Sequence, residues 1–132
     1  MTMPRKKTTR AARQGAMLVL VAITLPLIVI MSAFALDVAW MQLVRTELRT
    51  ATDAASRAGA KTLGLTQSEG PARAAAKDAA SRNLVAGDPL QVVNSEIVFG
   101  EGRQRDLNSR FVFTPNARLK NAVQVTGNRT QA

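Results

Sequence analysis

The sequence predicts an α+β chain: a single N-terminal transmembrane helix continuing into a long stalk helix, a second short helix, and a small antiparallel sheet of about three strands. Three observations predict it. The twenty-two residues from Gly15 to Leu36 carry no charge. Apolar positions from Met41 to Ala58 recur at helical spacing, and an alanine-rich run follows Pro71. After Asp88 the pattern changes to period-two alternation of Val, Ile and Phe with polar residues, which is the strand signature. The predicted organisation is a basic cytoplasmic tail (1–14), a membrane helix (15–36), an exported helical hairpin (37–87) and a small β-rich head (88–132).

The uncharged run has only Thr24 and Ser32 as polar side chains. A hydrocarbon core about 30 Å thick needs about 20 apolar residues as a helix. Backbone groups in lipid must be satisfied within the segment, so a lone span is helical. Pro26 stands mid-run, where a membrane helix tolerates it. Before the run, Arg5, Lys6, Lys7, Arg10 and Arg13 stand without an acid. Basic residues beside a span are retained on the cytoplasmic side. The expected topology is therefore N-terminus inside and residues 37–132 exported across a bacterial inner membrane. Ala33-Phe34-Ala35 fits a signal-peptidase site, so a cleaved, secreted binding module is the alternative. The apolar stretch exceeds the usual 7–15 residues of a signal core, which favours a retained anchor.

Asp37 closes the apolar run and Trp40 follows at interface depth, where an amphipathic ring is favoured. Asp37 is read as a stop to the span, with capping or pairing to a neighbour as its other roles. Nothing then breaks the helix, so one helix from Gly15 to about Thr62 is expected. Met41, Val44, Leu48, Ala51, Ala55 and Ala58 form a heptad-like seam whose side chains shrink along the chain. The seam suits either a partner helix or the next helix of the same chain. Arg49–Asp53 and Asp53–Arg57 are expected i,i+4 pairs.

Residues 63–70, with Gly64 and Gly70, are expected to turn. Pro71 fits a first helical position, and a second helix is expected over about 71–84, with Asp78–Arg82 as an i,i+4 pair and Gly87 as terminator. Strands are expected at 91–99, 110–114 and 121–126. Their apolar face of Val93, Ile97, Phe99, Phe111, Phe113, Val123 and Val125 needs a cover, and the exported part of the long helix is the expected one.

The composition argues against chemistry. The chain has no His, Cys or Tyr, which removes the usual base near neutral pH, the commonest metal ligand and two usual nucleophiles. No two acids fall at i,i+3 or i,i+4 on a predicted helix, and no nucleotide-loop or hydrolase motif is present. No enzyme activity, cofactor, metal or small-molecule substrate is expected. Glu101 and Asp106, in one polar loop, read as a solvated turn rather than a cation site. Asn128-Arg129-Thr130 fits a glycosylation acceptor, relevant only in a glycosylating route. The net charge of +9 is largely a topology signal. It comes without the basic stripe interleaved with aromatics that nucleic-acid binding uses.

Several residues together resemble a known family. Arg13-Gln14-Gly15-Ala16 opens the span, Pro26 lies within it and Leu36-Asp37-Val38 closes it; Arg45-Thr46-Glu47-Leu48, Ala51-Thr52-Asp53-Ala54-Ala55 and Ala58-Gly59-Ala60 follow. This resembles the N-terminal region of Flp/Tad (tight adherence) pilus-assembly proteins of the TadE/TadG-like type. Ile97-Val98-Phe99-Gly100 and Asn121-Ala122-Val123-Gln124-Val125-Thr126 resemble the strand motifs that follow in such proteins. The resemblance implies a single-pass bacterial envelope protein whose partners are the lipid bilayer and other Tad pilus or envelope components. Leu20 stands where pseudopilins cut after the residue equivalent to Gly15 carry Glu, which points to the TadG-like side. Many TadG-like proteins are far longer and carry a von Willebrand A-type domain, which is not expected within these 132 residues.

Overall fold

The structure is a computed structural model describing the backbone of residues 8–128 and the side chains of residues 15–128. The chain is α+β. Two compact units meet in sequence near residue 41, one ending at Met41 and the other beginning at Gln42.

The first helix, α1, is Thr8–Thr66 and contains Pro26. In the first unit it is the only secondary-structure element among the described residues. Its apolar side chains from Met17 to Leu36 have no cover among the described residues: the large ones are 56–72% exposed. The two hydroxyls of the run bond inward instead. Thr24 Oγ1 donates to the Leu20 carbonyl at 2.7 Å, and Ser32 Oγ to the Ile28 carbonyl at 2.8 Å. Neither hydroxyl is left to a solvent.

The second unit is built on a helical hairpin. α1 ends in an αL cap: Gln67 has φ 51°, and its N–H donates to the Leu63 carbonyl at 2.8 Å. The connection is thus two residues, Gln67-Ser68, rather than the expected 63–70 turn. Gly64 and Gly70 are both helical, because continuing the helix satisfies their backbone groups and no left-handed residue is needed there. The second helix, α2, is Glu69–Ser81. Pro71 is its third residue, not its first, and still lies in the turn whose N–H groups need no intrahelical partner. Asn83 caps the other end, its side-chain amide donating to the Ala79 carbonyl at 2.7 Å.

The helices meet through small side chains. Ala51 and Ala55 of α1 and Ala72, Ala76 and Ala80 of α2 are fully buried. At Gly59 a Cβ would lie 3.3 Å from both Ala76 Cβ and Val123 Cγ1. Helix, helix and sheet converge there, and the missing side chain sets how closely they approach.

Gly87 does not end α2. It lies in the turn of a hairpin absent from the sequence reading, β1 (Leu84–Val85) paired with β2 (Asp88–Pro89). Ala86 and Gly87 have φ of 52° and 90°, the two positive values that a two-residue turn matching strand twist requires. A 3-10 turn at Asn94–Glu96 follows.

The main sheet has three antiparallel strands: β3 (Ile97–Arg103), β4 (Val112–Pro115) and β5 (Ala122–Val125), with β3 central. The first strand begins six residues later than expected, because 91–96 lead into the 3-10 turn. Register opposes Ile97 to Val125 and Phe99 to Val123, and these four form the apolar face. The rest of the expected face is corrected. Val93 precedes the strand and is 55% exposed, and Phe111 precedes β4 and is 74% exposed. Phe113 is opposed to Gly102, so it stands on the other face and its ring covers the bare Gly100.

Candidate functional site

Among the described residues the feature with the clearest functional content is the uncovered stretch of α1. One helix is long and apolar enough to cross a membrane. An amphipathic surface helix buries one stripe and exposes the other; here residues 15–36 are apolar all round and exposed all round. Such a surface in water far exceeds the few hundred Å² a soluble monomer usually exposes. Gly15, Pro26 and Leu36 lie on this one helix, and Asp37 and Trp40 follow it on the same helix, both exposed. Of the basic residues predicted to set topology, Arg5, Lys6 and Lys7 lie outside the described residues, as do the side chains of Arg10 and Arg13. Arg129 and Thr130 of the acceptor pattern lie outside them too.

The seam residues separate in the structure. Met41 is exposed, Val44 and Leu48 are half-buried, and Ala51 and Ala55 are fully buried in the chain's own core. Ala58 is half-buried, while its neighbour Gly59 is buried. The buried line thus runs 51, 55, 59 in steps of four, along an i,i+4 ridge of the helix rather than a heptad seam. On the opposite side, Arg49, Asp53 and Arg57 form no ion pairs among the described residues, whereas the expected Asp78–Arg82 pair is present at 2.9 Å. Exposed pairs of this kind contribute little either way.

Two residues that organise the second unit were not singled out from the sequence. Glu47 of α1 reaches the β1–β2 turn, where its Oε2 accepts the Ala86 N–H at 2.8 Å. The available signal was an acid beside the seam, between Val44 and Leu48. Arg73 of α2 donates to the carbonyls of Asn94 at 2.7 Å and Ile97 at 2.8 Å. Its guanidinium also lies 4.9 Å from the Phe99 ring centroid and 3.6 Å from Glu69. Glu69 pairs in turn with Lys120. An alanine-rich helix gives no hint of so distant a partner.

Glu101 pairs with Arg103 at 2.9 Å, and Asp106 is engaged through its backbone with Ser109. No group of three potential metal-ligating side chains occurs among the described residues.

The uncovered helix and the alanine-faced segment after it coincide with a match to a family model. Residues 15–62 match Tad, described as "Putative Flp pilus-assembly TadE/G-like". The match begins at Gly15, where the uncharged run begins, and ends four residues before α1 does. It takes in Asp37, Glu47, Asp53 and the alanine line. The strand motifs at 97–100 and 121–126 fall outside it. No curated protein and no solved structure matches the chain.

Proposed function

We propose that this chain is a non-enzymatic, single-pass component of Flp/Tad pilus assembly. Residues 15–36 anchor it in the bacterial inner membrane, the N-terminus is cytoplasmic and the part from Asp37 onward is exported. The observation that carries this reading is the exposed apolar stretch of α1 inside the segment that matches the Tad model. A bilayer removes that surface from water, and the inward-bonded Thr24 and Ser32 hydroxyls suit a medium with no hydrogen-bonding solvent. The five basic residues before Gly15 support the orientation. Contacts to other envelope proteins then run through the span and Met41, because Ala51 and Ala55 are taken by the chain's own core.

The absence of cysteine makes the test clean. Ser68→Cys should react with a membrane-impermeant maleimide in cells whose outer membrane is permeabilised, and Thr2→Cys only after lysis. The reverse pattern overturns the orientation. Intact-mass measurement reads the anchor separately: a mature chain beginning at Leu36 in the soluble fraction replaces it with the secreted module.

A further inference from the structure

The sheet face that carries the core extends beyond the core. By alternation Ile97, Phe99, Glu101 and Arg103 of β3 share one face, and register opposes the last two to Thr114 and Val112. Ile97 and Phe99 are buried, with Arg73 over the ring. From Glu101 onward the face opens into a cleft of about 510 Å³, lined by Glu101, Arg103, Arg105, Ser109, Arg110 and Thr114 among others.

The charge there is unbalanced. Glu101 and Arg103 offset one another at 2.9 Å, while Arg105 and Arg110 have no acid within ion-pair distance among the described residues. The loop that presents them is tied internally: the Gln104 side-chain amide donates to the carbonyls of Leu107 at 3.1 Å and Ser109 at 2.9 Å. Two guanidinium forks therefore stand on a braced loop, and that geometry fits carboxylates.

Two further observations favour a peptide over a small anion. Val112, in the cleft lining, is 60% exposed, and a free phosphate uses none of that apolar surface. β4 is an edge strand. Asn116 N–H donates to the Phe99 carbonyl, so alternation turns the Phe113 backbone groups outward. Pro115 has no N–H to offer, which confines edge pairing to the end of β4 beside the two free arginines.

We propose that this cleft binds an acidic, extended segment of a partner protein, with carboxylates on Arg105 and Arg110 and backbone pairing to the open end of β4. The site lies outside residues 15–62, so it stands or falls independently of the membrane reading.

The test uses the full chain in a neutral detergent. The probe is a blocked pentapeptide alternating glutamate and phenylalanine, with its glutamine counterpart and inorganic phosphate as comparisons. Calorimetric titration should show the glutamate peptide binding about tenfold or more tightly than the glutamine one, and weakening with salt. The Arg105→Gln/Arg110→Gln variant, altered only at exposed positions, should keep its thermal midpoint and lose this preference. Arg105→Glu/Arg110→Glu should instead prefer a lysine–phenylalanine peptide. No binding, equal binding of both peptides, or binding unchanged in the glutamine variant overturns the proposal. Phosphate binding as tightly as the peptide also overturns it, in favour of a small-anion site.

Discussion

Single side chains hold the second unit together at points where backbone groups would otherwise lack partners. Glu47 is one. Its carboxylate accepts the N–H of Ala86, a residue held at positive φ in a tight turn. Glu47→Ala leaves that part-buried donor without an acceptor, at a cost of about 1–3 kcal/mol, whereas Glu47→Gln keeps an acceptor and loses less. Amide exchange at Ala86 should accelerate in the alanine variant and change least in the glutamine one. Arg73 is the other. It joins α2 to the start of β3 through two carbonyls and the Phe99 ring. Lysine has the charge but not the planar fork. Arg73→Ala is expected to lower stability by about 2–3 kcal/mol, with Arg73→Lys in between, read as thermal midpoints in mild detergent. Neither role is legible locally, because each partner lies more than twenty residues away in sequence.

At the scale of elements, close approach takes the place of bulk. Five of the eleven core residues are alanines, and alanine fills little volume. Gly59, without a side chain, lets two helices and a strand approach closely. The sheet uses the same device: Gly100 faces the Phe113 ring, and a Cβ there would sit 2.8 Å from Phe113 Cζ and against the Thr114 carbonyl. Gly100→Ala is therefore expected to destabilise by about 1–3 kcal/mol through overpacking, and Phe113→Leu in the same chain should recover part of the loss. Denaturation midpoints of the single and double variants check this. Element types were readable from periodicity, since alanine-rich runs and Val/Phe alternation differ in period. Boundaries and faces were not. Period-two alternation placed Phe113 with Phe99, but a strand's face depends on which residue opposes which, and only the pairing of Phe113 with Gly102 decides it.

For the whole molecule, the balance lies in the twelve Leu, Ile, Val and Phe residues between Gly15 and Leu36. At roughly −0.3 to −0.6 kcal/mol each, they favour insertion by about 4–7 kcal/mol. One Lys at mid-membrane costs about 2.5–3.5 kcal/mol, comparable to half that total. Ile28→Lys should therefore shift a large share of the protein out of the carbonate-resistant membrane fraction, whereas Ile28→Leu should not. Equal recovery of both variants would mean that the stretch does not sit at hydrocarbon depth.

That apolar helix was determined by the sequence alone. Length, lack of charge and the basic residues before it are local properties, so they survive without knowledge of any contact. The helical hairpin and the three-stranded sheet were likewise visible in periodicity, and the likeness of residues 15–62 to the TadE/G-like family model was visible in motif. Only the tertiary structure decided where the alanine seam goes, which helix residues cap distant turns, and which part of the sheet stays open. Those outcomes depend on register and on contacts between residues far apart in the chain. Ala51 and Ala55 turn inward because α2 folds back onto them, and Arg105 and Arg110 stay open because no acid among the described residues reaches them.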